Sequence, residues 1–457
     1  MSKSSEQAEK TSSGYYKWLV VAILAFAYAF SYLDRLIITL MVEPIQSDFG
    51  LSKTQMGLLM GTAFAVFYTT CAIPFAWLAD RYNRRNIIIT GITIWCTMTA
   101  FCGLAKNYMS LFWARMGVGL GEAALVPAAN SMISDYFGED QIGRAFAVFT
   151  IGISMGAGLS YIIGTQLLAA IGPTNTYAMP IVGELKGWQF TFFVLGLAGL
   201  TIAVLMLFVK EPQRKFDDPA ASAKTRTNPS VIDTLLYFMS HARVYGPLYL
   251  GFACAQTCFY GVGLWTPQLF IGVFEWESTT FGTVYGLMVA IIGSLCALGG
   301  GLACDKLYSK GIHNAHWLVL LGAICVIPIY FLIPFASNGT IVMIVLGAAL
   351  FASFAAAAAA PAAIVLSTPN EYRAIATALF FFTINIIGLM LGPLIVGYLT
   401  DHVFKSTNGL AISMAVLSAV AWALAVIIIF TGRKAYSDRI KERHGPGLSE
   451  NSEPVTA

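Results

Sequence analysis

Two charged residues, Arg115 and Glu122, stand inside an apolar stretch (residues 111–137) that is long enough to cross a lipid bilayer. A charged side chain at membrane depth costs about 2.5–3.5 kcal/mol on insertion scales, so it persists where it is paired or faces a polar cavity. The two residues are seven positions apart, so on a helix they share one face with about 10 Å between them along the axis. The glycines between them let a neighbouring helix or a ligand approach the backbone. The pattern is typical of a site rather than of a structural strut.

Asp34 and Arg35, near the end of the first apolar stretch, add a second pair of charges at membrane depth. Counting 1.5 Å per residue from Trp18 puts Asp34 about 24 Å into the membrane, and the same count from the opposite face puts Arg115 at a similar depth. The sequence therefore predicts an ion pair between Asp34 and Arg115. Glu122 and Arg35 are then left to exchange partners or to meet a ligand. The alternative is a static salt-bridge cluster that holds the two helices together.

The chain as a whole has the composition of a membrane protein. Of its 457 residues 57% are hydrophobic and 11% are charged, whereas a soluble protein carries roughly 25% charged residues. Apolar stretches of about 20 residues, enough to cross a bilayer, occur twelve times and are numbered here as spans 1 to 12. They lie at residues 18–42, 56–78, 86–105, 109–134, 145–170, 188–209, 245–271, 281–303, 315–335, 340–364, 374–400 and 409–431. The net charge of +3 is too small to indicate a nucleic-acid partner.

The distribution of positive charge predicts the orientation of the chain. Lys and Arg concentrate in cytoplasmic segments. If both termini are cytoplasmic, four of the 27 basic residues fall outside and two within spans, which leaves 21 on the cytoplasmic side. The predicted domains are a cytoplasmic N-terminal tail (1–17), a six-helix bundle (18–209), a cytoplasmic linker with an interfacial helix (210–243), a second six-helix bundle (244–431) and a cytoplasmic C-terminal tail (432–457). The last tail is expected to be disordered, because it is polar.

An internal repeat relates the two halves of the chain. Gly57, Gly61, Cys71, Asp80 and Arg81 match Gly282, Gly286, Cys296, Asp305 and Lys306, each pair being 225 residues apart. The sequence therefore predicts two similar six-helix halves, which is how many membrane carriers are built. The charges of spans 1 and 4 have no counterparts in spans 7 and 10. This asymmetry favours a functional cluster, since a purely structural one would be expected in both copies.

The loop after span 2 (residues 76–85) reads A-W-L-A-D-R-Y-N-R-R, and its counterpart (301–311) reads G-L-A-C-D-K-L-Y-S-K-G. Both resemble the signature loop G-x-x-x-D-R/K-x-G-R-R/K of the major facilitator superfamily. Ala76 and Asn83 replace the two glycines of that motif. Asn tolerates the left-handed backbone conformation, so the turn at Asn83 is expected to survive.

The superfamily resemblance implies a cytoplasmic gate, in which the loop Asp pairs with nearby Arg and faces a helix N-terminus. The residues it assigns to this gate are Asp80, Arg81, Arg84, Arg85, Arg144, Asp305, Lys306 and Arg373. The alternative is that the basic residues of the loop only enforce the orientation of the chain. The fold implied is an all-α membrane protein with twelve transmembrane helices in two pseudo-symmetric six-helix bundles, working by alternating access.

Three shorter patterns narrow the resemblance. D-R in span 1, R-x-G-V-G-x-G-E-A in span 4, and D-Y-F-x-x-x-x-x-G-R before span 5 together resemble the Spinster branch of the superfamily. Its members export or release lysolipids such as sphingosine phosphate and lysophospholipids, and some are proton-coupled. The function implied is proton-coupled secondary transport of an amphiphilic anion, such as a sphingolipid or lysophospholipid. Symporters of sugar acids and other small organic anions share parts of the pattern, so they are the alternative.

Each charged residue then has an expected role. Glu122, with Asp34, is expected to carry the proton, since the proton affinity of a carboxyl changes with its ionic partner. Arg115 and Arg35 are expected to bind the anionic headgroup.

Polar residues in the second half are weaker candidates. Tyr260, Trp265 and Asn385 could line the substrate path or could equally be satisfied in helix contacts. The small side chains of span 10 leave the same choice between room for an acyl tail and close packing.

Other classes of function lack their sequence signals. The chain contains neither H-E-x-x-H nor a Walker loop, so an enzyme or an ATP-driven pump is not expected. No cofactor and no metal site are predicted. The expected partners are protons, the anionic substrate and membrane lipid, with the chain a monomer in a bacterial inner membrane.

Overall fold

The computed structural model describes residues 3–138, 141–180, 182–214, 231–309, 315–336, 338–357 and 359–444. Part of the predicted linker (215–230) and the end of the predicted C-terminal tail (445–457) lie outside the described residues. So do the side chains of Asp305 and Lys306, two predicted gate residues. Within the described residues the chain is helical apart from its loops and one two-stranded hairpin.

Spans 1 to 6 fall on the elements of the first half. These are α1 (Lys3–Leu36) with a 3₁₀ turn (Ile37–Leu40), α2 (Val42–Phe49), α3 (Lys53–Gly57) with a π-helical turn (Leu58–Thr62), α4 (Ala63–Arg81), α5 (Arg84–Gly103), α6 (Tyr108–Glu122), α7 (Leu125–Tyr136), α8 (Ile142–Ile171), β1 (Thr176–Met179), β2 (Gly183–Lys186) and α9 (Gly187–Leu207). The strands β1 and β2 pair antiparallel between spans 5 and 6, with Thr176 opposite Lys186.

Spans 7 to 12 fall on the elements of the second half. These are α10 (Val231–Ser240), α11 (Ala242–Gln268) with a π-helical turn (Leu269–Val273), α12 (Ser278–Ser309), α13 (Ala315–Leu332) with a 3₁₀ turn (Ile333–Phe335), α14 (Gly339–Ala357), α15 (Ala359–Ser367), a 3₁₀ turn (Asn370–Tyr372), α16 (Arg373–Ile384), a π-helical turn (Asn385–Leu389), α17 (Met390–Tyr398), a further π-helical turn (Leu399–Val403), α18 (Gly409–Thr431) and α19 (Arg433–His444). The helix α10 lies where the linker was expected to hold an interfacial helix.

Eight helical segments of the described chain are long and apolar enough to cross a membrane. Shorter apolar helices at 322–335 and 339–354 account for parts of spans 9 and 10. The predicted all-α membrane architecture is therefore confirmed.

Two local expectations were wrong. Asn83 has φ −65° and ψ 114°, so it is not left-handed; its side chain accepts a hydrogen bond from the backbone N–H of Asn86 and caps α5. Asn is a favoured helix N-cap, which explains why the loop works without the motif glycine. The C-terminal tail is helical from Arg433 to His444 rather than disordered.

The helix α19 packs through one face, although its sequence is mostly polar. Tyr436 and Ile440, four residues apart, are both buried, as expected for one side of a helix. Arg439 also donates a hydrogen bond to the hydroxyl of Tyr237, at 2.8 Å. Arg443 likewise donates to the carbonyl oxygen of Leu366, at 3.0 Å. Two buried side chains and these polar contacts hold the helix against its neighbours.

The chain forms two compact units. The first comprises Met1–Leu51, Ala63–Lys224 and Glu277–Ile291, and the second comprises Ser52–Thr62, Thr225–Trp276 and Ile292–Ala457. Each unit thus takes most of six spans from one half of the chain, together with the beginning of one span (2 or 8) from the other half.

The repeated glycines explain how those beginnings are held. In the second unit, a Cβ on Gly57 would lie 2.5 Å from the carbonyl oxygen of Pro393, on α17. In the first unit, a Cβ on Gly282 would lie 2.6 Å from the carbonyl oxygen of Tyr161, on α8. Only glycine permits these backbone contacts, so the two copies of the repeat make equivalent packing contacts within their units.

Candidate proton and anion site

Span 4 is broken where its acidic residue lies. The helix α6 ends at Glu122, and α7 begins at Leu125 after a turn at residues 123–124. Pro127, in the first turn of α7, has no backbone N–H and cannot continue a hydrogen-bond ladder from the preceding helix. The side chain of Glu122 therefore projects from the end of a helix rather than from its middle.

The one ion pair of the site joins Arg35 to Glu122. The Nη2 atom of Arg35 lies 2.6 Å from Oε2 of Glu122, and the two side chains are only 6% and 1% exposed. A charge-assisted hydrogen bond of this length is a strong interaction. It links the end of α1 to the end of α6.

Three aromatic rings surround the guanidinium of Arg35. Its central carbon lies 4.8 Å from the ring centre of Tyr32, 4.5 Å from that of Phe64 and 4.7 Å from that of Tyr68. Ring faces attract cations, most strongly where water is excluded. The positive charge of Arg35 is therefore held in place by rings as well as by its carboxylate partner.

Arg115 is fully buried and contacts the backbone of α1. Its Nη1 donates to the carbonyl oxygen of Asp34 at 3.1 Å, and its Nη2 donates to that of Arg35 at 3.3 Å. The expected side-chain ion pair between Arg115 and Asp34 is not formed in this structure. Arg115 instead satisfies carbonyl groups at the C-terminal end of α1, which lack partners within the helix.

The Asp34 carboxyl is the unusual group of the site. It is fully buried, and neither of its oxygens makes a hydrogen bond within the described chain. The second carboxyl oxygen of Glu122, Oε1, is in the same condition. An ionised carboxylate is costly to bury without partners, so this arrangement suits a carboxyl that holds a proton.

Two glycines bring α6 close enough to assemble these groups. A Cβ on Gly119 would lie 2.4 Å from the carbonyl oxygen of Phe64, and one on Gly121 would lie 2.5 Å from the backbone nitrogen of Trp95. The helices α4, α5 and α6 therefore approach one another at backbone distance beside the charged groups.

The candidate residues of the second unit form separate contacts. The Tyr260 hydroxyl lies 3.3 Å from Oδ1 of Asn385, and both side chains are partly exposed. Trp265 is fully buried, and its indole N–H donates to the carbonyl oxygen of Pro393 at 2.9 Å. Asn385 also donates to the carbonyl oxygen of Phe381 at 2.8 Å. Tyr260 and Asn385 are therefore partly exposed and bonded to each other, whereas Trp265 is buried in a contact between α11 and α17.

Arg84 is the buried member of the signature loop. Its Nε donates to Glu211 at 2.6 Å, and its Nη1 contacts Asp135. Glu211 also accepts from the backbone N–H of Arg85, at 2.9 Å. This cluster ties the start of α5 to α7 and to the segment that follows α9.

The other predicted gate residues are more exposed. The Asp80 side chain is exposed and forms no ion pair among the described residues, while its carbonyl oxygen accepts from Arg214. Arg81 lies over the ring of Trp77, at 4.1 Å. Arg144 is exposed and likewise forms no ion pair within the described ranges. The expected contact between Asp80 and Arg144 is thus not made in this structure.

Arg373, the predicted gate residue just before span 11, has backbone partners. Its Nε lies 3.2 Å from the carbonyl oxygens of both Val365 and Thr368. These carbonyls belong to the end of α15 and the residue after it, so Arg373 serves as a polar cap for span 10.

Sequence reasoning missed the surroundings of the charges. It did not single out the aromatic rings around Arg35, nor Asp401, whose carboxylate accepts from the backbone N–H groups of Lys53 (3.2 Å) and Thr54 (2.7 Å). Asp401 sits near the end of an apolar span, and this position was the available signal. The described residues contain no group of three or more His, Cys, Asp or Glu side chains placed to hold a metal.

A family model of the Major Facilitator Superfamily matches residues 24–386 of the chain. A crystal structure of a bacterial homologue of the human lysosomal transporter Spinster, inward-facing and unoccupied, has a TM-score of 0.77 at 24% identity. The match covers 94% of this chain and 98% of that one. It shows the fold.

Three relatives illustrate the range of similar proteins. An MFS-type efflux pump of Mycolicibacterium smegmatis is 27% identical over 404 residues (88% of this chain, 89% of the relative). A sphingosine-1-phosphate transporter of Danio rerio is 27% identical over 411 residues (85% and 77%). A probable L-galactonate transporter of Escherichia coli is 23% identical over 434 residues (92% and 90%). The chain belongs to the major facilitator superfamily of membrane transporters and resembles its Spinster branch.

Proposed function

We propose that this transporter couples protons to the movement of an amphiphilic anion, such as a sphingolipid or lysophospholipid, by alternating access. The observation that carries the proposal is the buried cluster of Asp34, Arg35, Arg115 and Glu122. In it Arg35 is paired with Glu122, while the Asp34 carboxyl has no hydrogen bond to any described residue. Glu122 and Asp34 carry the proton, and Arg35 and Arg115 bind the anionic headgroup.

Coupling follows from competition for Arg35. An incoming phosphate or carboxylate takes the place of Glu122 on the guanidinium, since either anion has two oxygens that can accept a pair of hydrogen bonds from it. Glu122 is then a buried carboxylate without its cation, and a proton stabilises it. Binding of the anion and binding of the proton thereby favour each other.

The charged cluster accounts for an anionic headgroup but not for the rest of the substrate, so two substrate classes are considered. The similarity to a sphingosine-1-phosphate transporter favours a lipid substrate. The likeness to a probable L-galactonate transporter supports a second candidate, the proton-coupled symport of a sugar acid or another small organic anion. Tyr260, Trp265 and Asn385 are proposed as further substrate contacts.

The proposal includes the membrane arrangement. The chain is a multi-pass protein of a bacterial inner membrane, a monomer with both termini in the cytoplasm. Asp80, Arg81, Arg84, Arg85, Arg144, Asp305, Lys306 and Arg373 form the gate that closes the cytoplasmic side in one state of the cycle.

The test is uptake by liposomes that contain the purified protein. A lysophospholipid, sphingosine phosphate and a sugar acid are each offered with and without an imposed pH gradient. We expect one lipid anion to accumulate, and we expect the gradient to stimulate its uptake. Uptake of the sugar acid alone would select the second candidate.

Glu122→Gln tests the proton role within the same assay. Gln keeps the shape of the side chain and cannot carry a proton, so the variant should still exchange substrate but lose its response to the pH gradient. Glu184→Gln is the matched control, since Glu184 is exposed on β2, and should behave as the wild type. A Glu122→Gln variant with unchanged gradient dependence would remove the proton assignment.

A further inference from the structure

A stripe of polar side chains on α5 lies beside Asp34. Trp95, Thr99 and Cys102 are spaced four and three residues apart, so they share one face of the helix, and all three are fully buried. Two of these residues carry a good hydrogen-bond donor, namely the Thr99 hydroxyl and the Trp95 indole N–H. Neither donor was singled out by the sequence.

Both donors lie beside the Asp34 carboxyl, but within the described chain neither makes a hydrogen bond of normal geometry. The Thr99 hydroxyl and the Trp95 indole are the side-chain hydrogen-bonding groups adjacent to that carboxyl. In the described chain, however, the indole nitrogen, the Thr99 hydroxyl oxygen and both Asp34 oxygens are buried without a bond of normal geometry. Four buried polar atoms side by side without hydrogen bonds are rare in a protein interior. A small movement of these side chains would let the indole N–H and the Thr99 hydroxyl donate hydrogen bonds to the Asp34 oxygens.

Other groups also act on Asp34. The negative charge of Glu122 repels an ionised Asp34, and the positive charge of Arg115, also on α6, attracts it. Arg35 is the next residue in α1. The thiols of Cys96 and Cys102 are near enough to feel its charge.

The other helices around α1 place their titratable groups elsewhere. Tyr68 of α4 stacks on Arg35. The Tyr161 hydroxyl of α8, a helix that packs along α1, is directed at Thr39. The donors that can complete the shell of Asp34 are therefore those of α5.

We propose that Thr99 and Trp95 are positioning residues that bind the ionised form of Asp34, and so set the pH at which this carboxyl releases its proton. The inference rests on the proposed function, in which Asp34 exchanges a proton during transport. An indole N–H can only donate, so it favours a carboxylate, which accepts at both oxygens, over a carboxylic acid. Hydrogen bonds to charged groups are about twice as strong as neutral ones.

The sign of the effect follows from this preference. Removing a donor destabilises the ionised Asp34 and leaves the protonated form almost unchanged. Asp34 then keeps its proton to higher pH. The loss of one such bond should raise the titration midpoint, the pH at which half of the Asp34 carboxyls are protonated, by roughly one pH unit.

The experiment measures the protonated carboxyl directly. Infrared spectra of the protein in nanodiscs are recorded against pH, and the C=O band that disappears in Asp34→Asn identifies the Asp34 acid. In Thr99→Val, which is isosteric, and in Trp95→Phe, the midpoint of this band should rise by roughly one unit. Thr99→Ser, which keeps the hydroxyl, should restore it.

Thr93→Val is the matched control. Thr93 lies on the same helix but is exposed, and its hydroxyl is bonded to the carbonyl oxygen of Ile89, so the Asp34 midpoint should stay at the wild-type value. The inference is overturned if Thr99→Val and Trp95→Phe both leave the midpoint unchanged or lower it. Transport that keeps its pH dependence in Asp34→Asn would instead remove Asp34 from the proposed function, and the infrared result would still stand.

Discussion

At the scale of single residues, the site contains one ion pair, Arg35 with Glu122, and one carboxyl, Asp34, that makes no hydrogen bond within the described chain. The sequence placed Asp34 and Arg115 at similar depth, with Glu122 about 10 Å from Arg115 along the helix axis, and the structure brings these three residues and Arg35 together. It could not predict their partners, because a count of 1.5 Å per residue fixes height and not the rotation of a helix. The break after Glu122 also turns its side chain in a way that a continuous helix would not.

Replacing Arg35 by Lys tests the aromatic surroundings of this charge. Lys keeps the positive charge but loses the planar guanidinium, which stacks on rings and grips oxyanions with two N–H groups. A desolvated cation–ring contact contributes about 2 kcal/mol, so the transport rate at low substrate concentration should fall at least tenfold.

The control for this variant is Arg433→Lys. Arg433 also lies near an aromatic ring, 6.0 Å from the ring centre of Phe430, but outside the charged cluster. Its uptake rate should equal that of the wild type. An Arg35→Lys variant with wild-type uptake would show that the guanidinium has no special role.

At the scale of elements, the glycine repeat is the feature that the sequence predicted best. The matched glycines of spans 2 and 8 both remove side chains where backbones touch. The π-helical turns that follow α3, α11, α16 and α17 were not predicted, because such turns depend on packing against neighbours rather than on a residue pattern. The cap at Asn83 was missed for a similar reason, since Asn suits both a left-handed turn and an N-cap.

Alanine at Gly57 and at Gly282 should destabilise the protein to a similar extent. Each new Cβ would overlap a carbonyl oxygen of the neighbouring helix, and overpacking costs about 1–3 kcal/mol. Thermal unfolding in detergent should show a lower Tm for both variants.

Gly263→Ala provides the comparison, since a Cβ on this glycine of α11 would meet nothing within 4 Å. Its Tm should be equal to or higher than that of the wild type, because Ala favours helix. If Gly57→Ala and Gly282→Ala unfold at the wild-type temperature, the backbone contacts are looser than the structure indicates.

At the scale of the whole molecule, composition and apolar spacing were sufficient to predict the architecture. Apolar stretches of about 20 residues cross a bilayer as helices, in which every backbone polar group is bonded within the segment. The helical tail, α19, was missed because two buried residues, Tyr436 and Ile440, carry its packing. A segment with so little apolar surface has no clear periodic signal.

The orientation is tested by labelling single cysteines in a variant without the native thiols. Lys405→Cys should react with a membrane-impermeant maleimide in intact spheroplasts, because the distribution of basic residues places this loop outside. Lys434→Cys, on α19, should react only after the membrane is permeabilised. The reverse pattern would invert the predicted orientation.

The four buried charges of the site also determine how the carrier responds to membrane voltage. When both carboxyls are ionised, two guanidinium groups and two carboxylates sum to zero, so the form with one proton on a carboxyl has a charge of +1. A singly charged anionic headgroup then restores neutrality. Because one elementary charge moved through 100 mV corresponds to about 2.3 kcal/mol, an electric field acts on the form that carries only the proton. It leaves the form loaded with both proton and anion unaffected, so electrical current distinguishes the two.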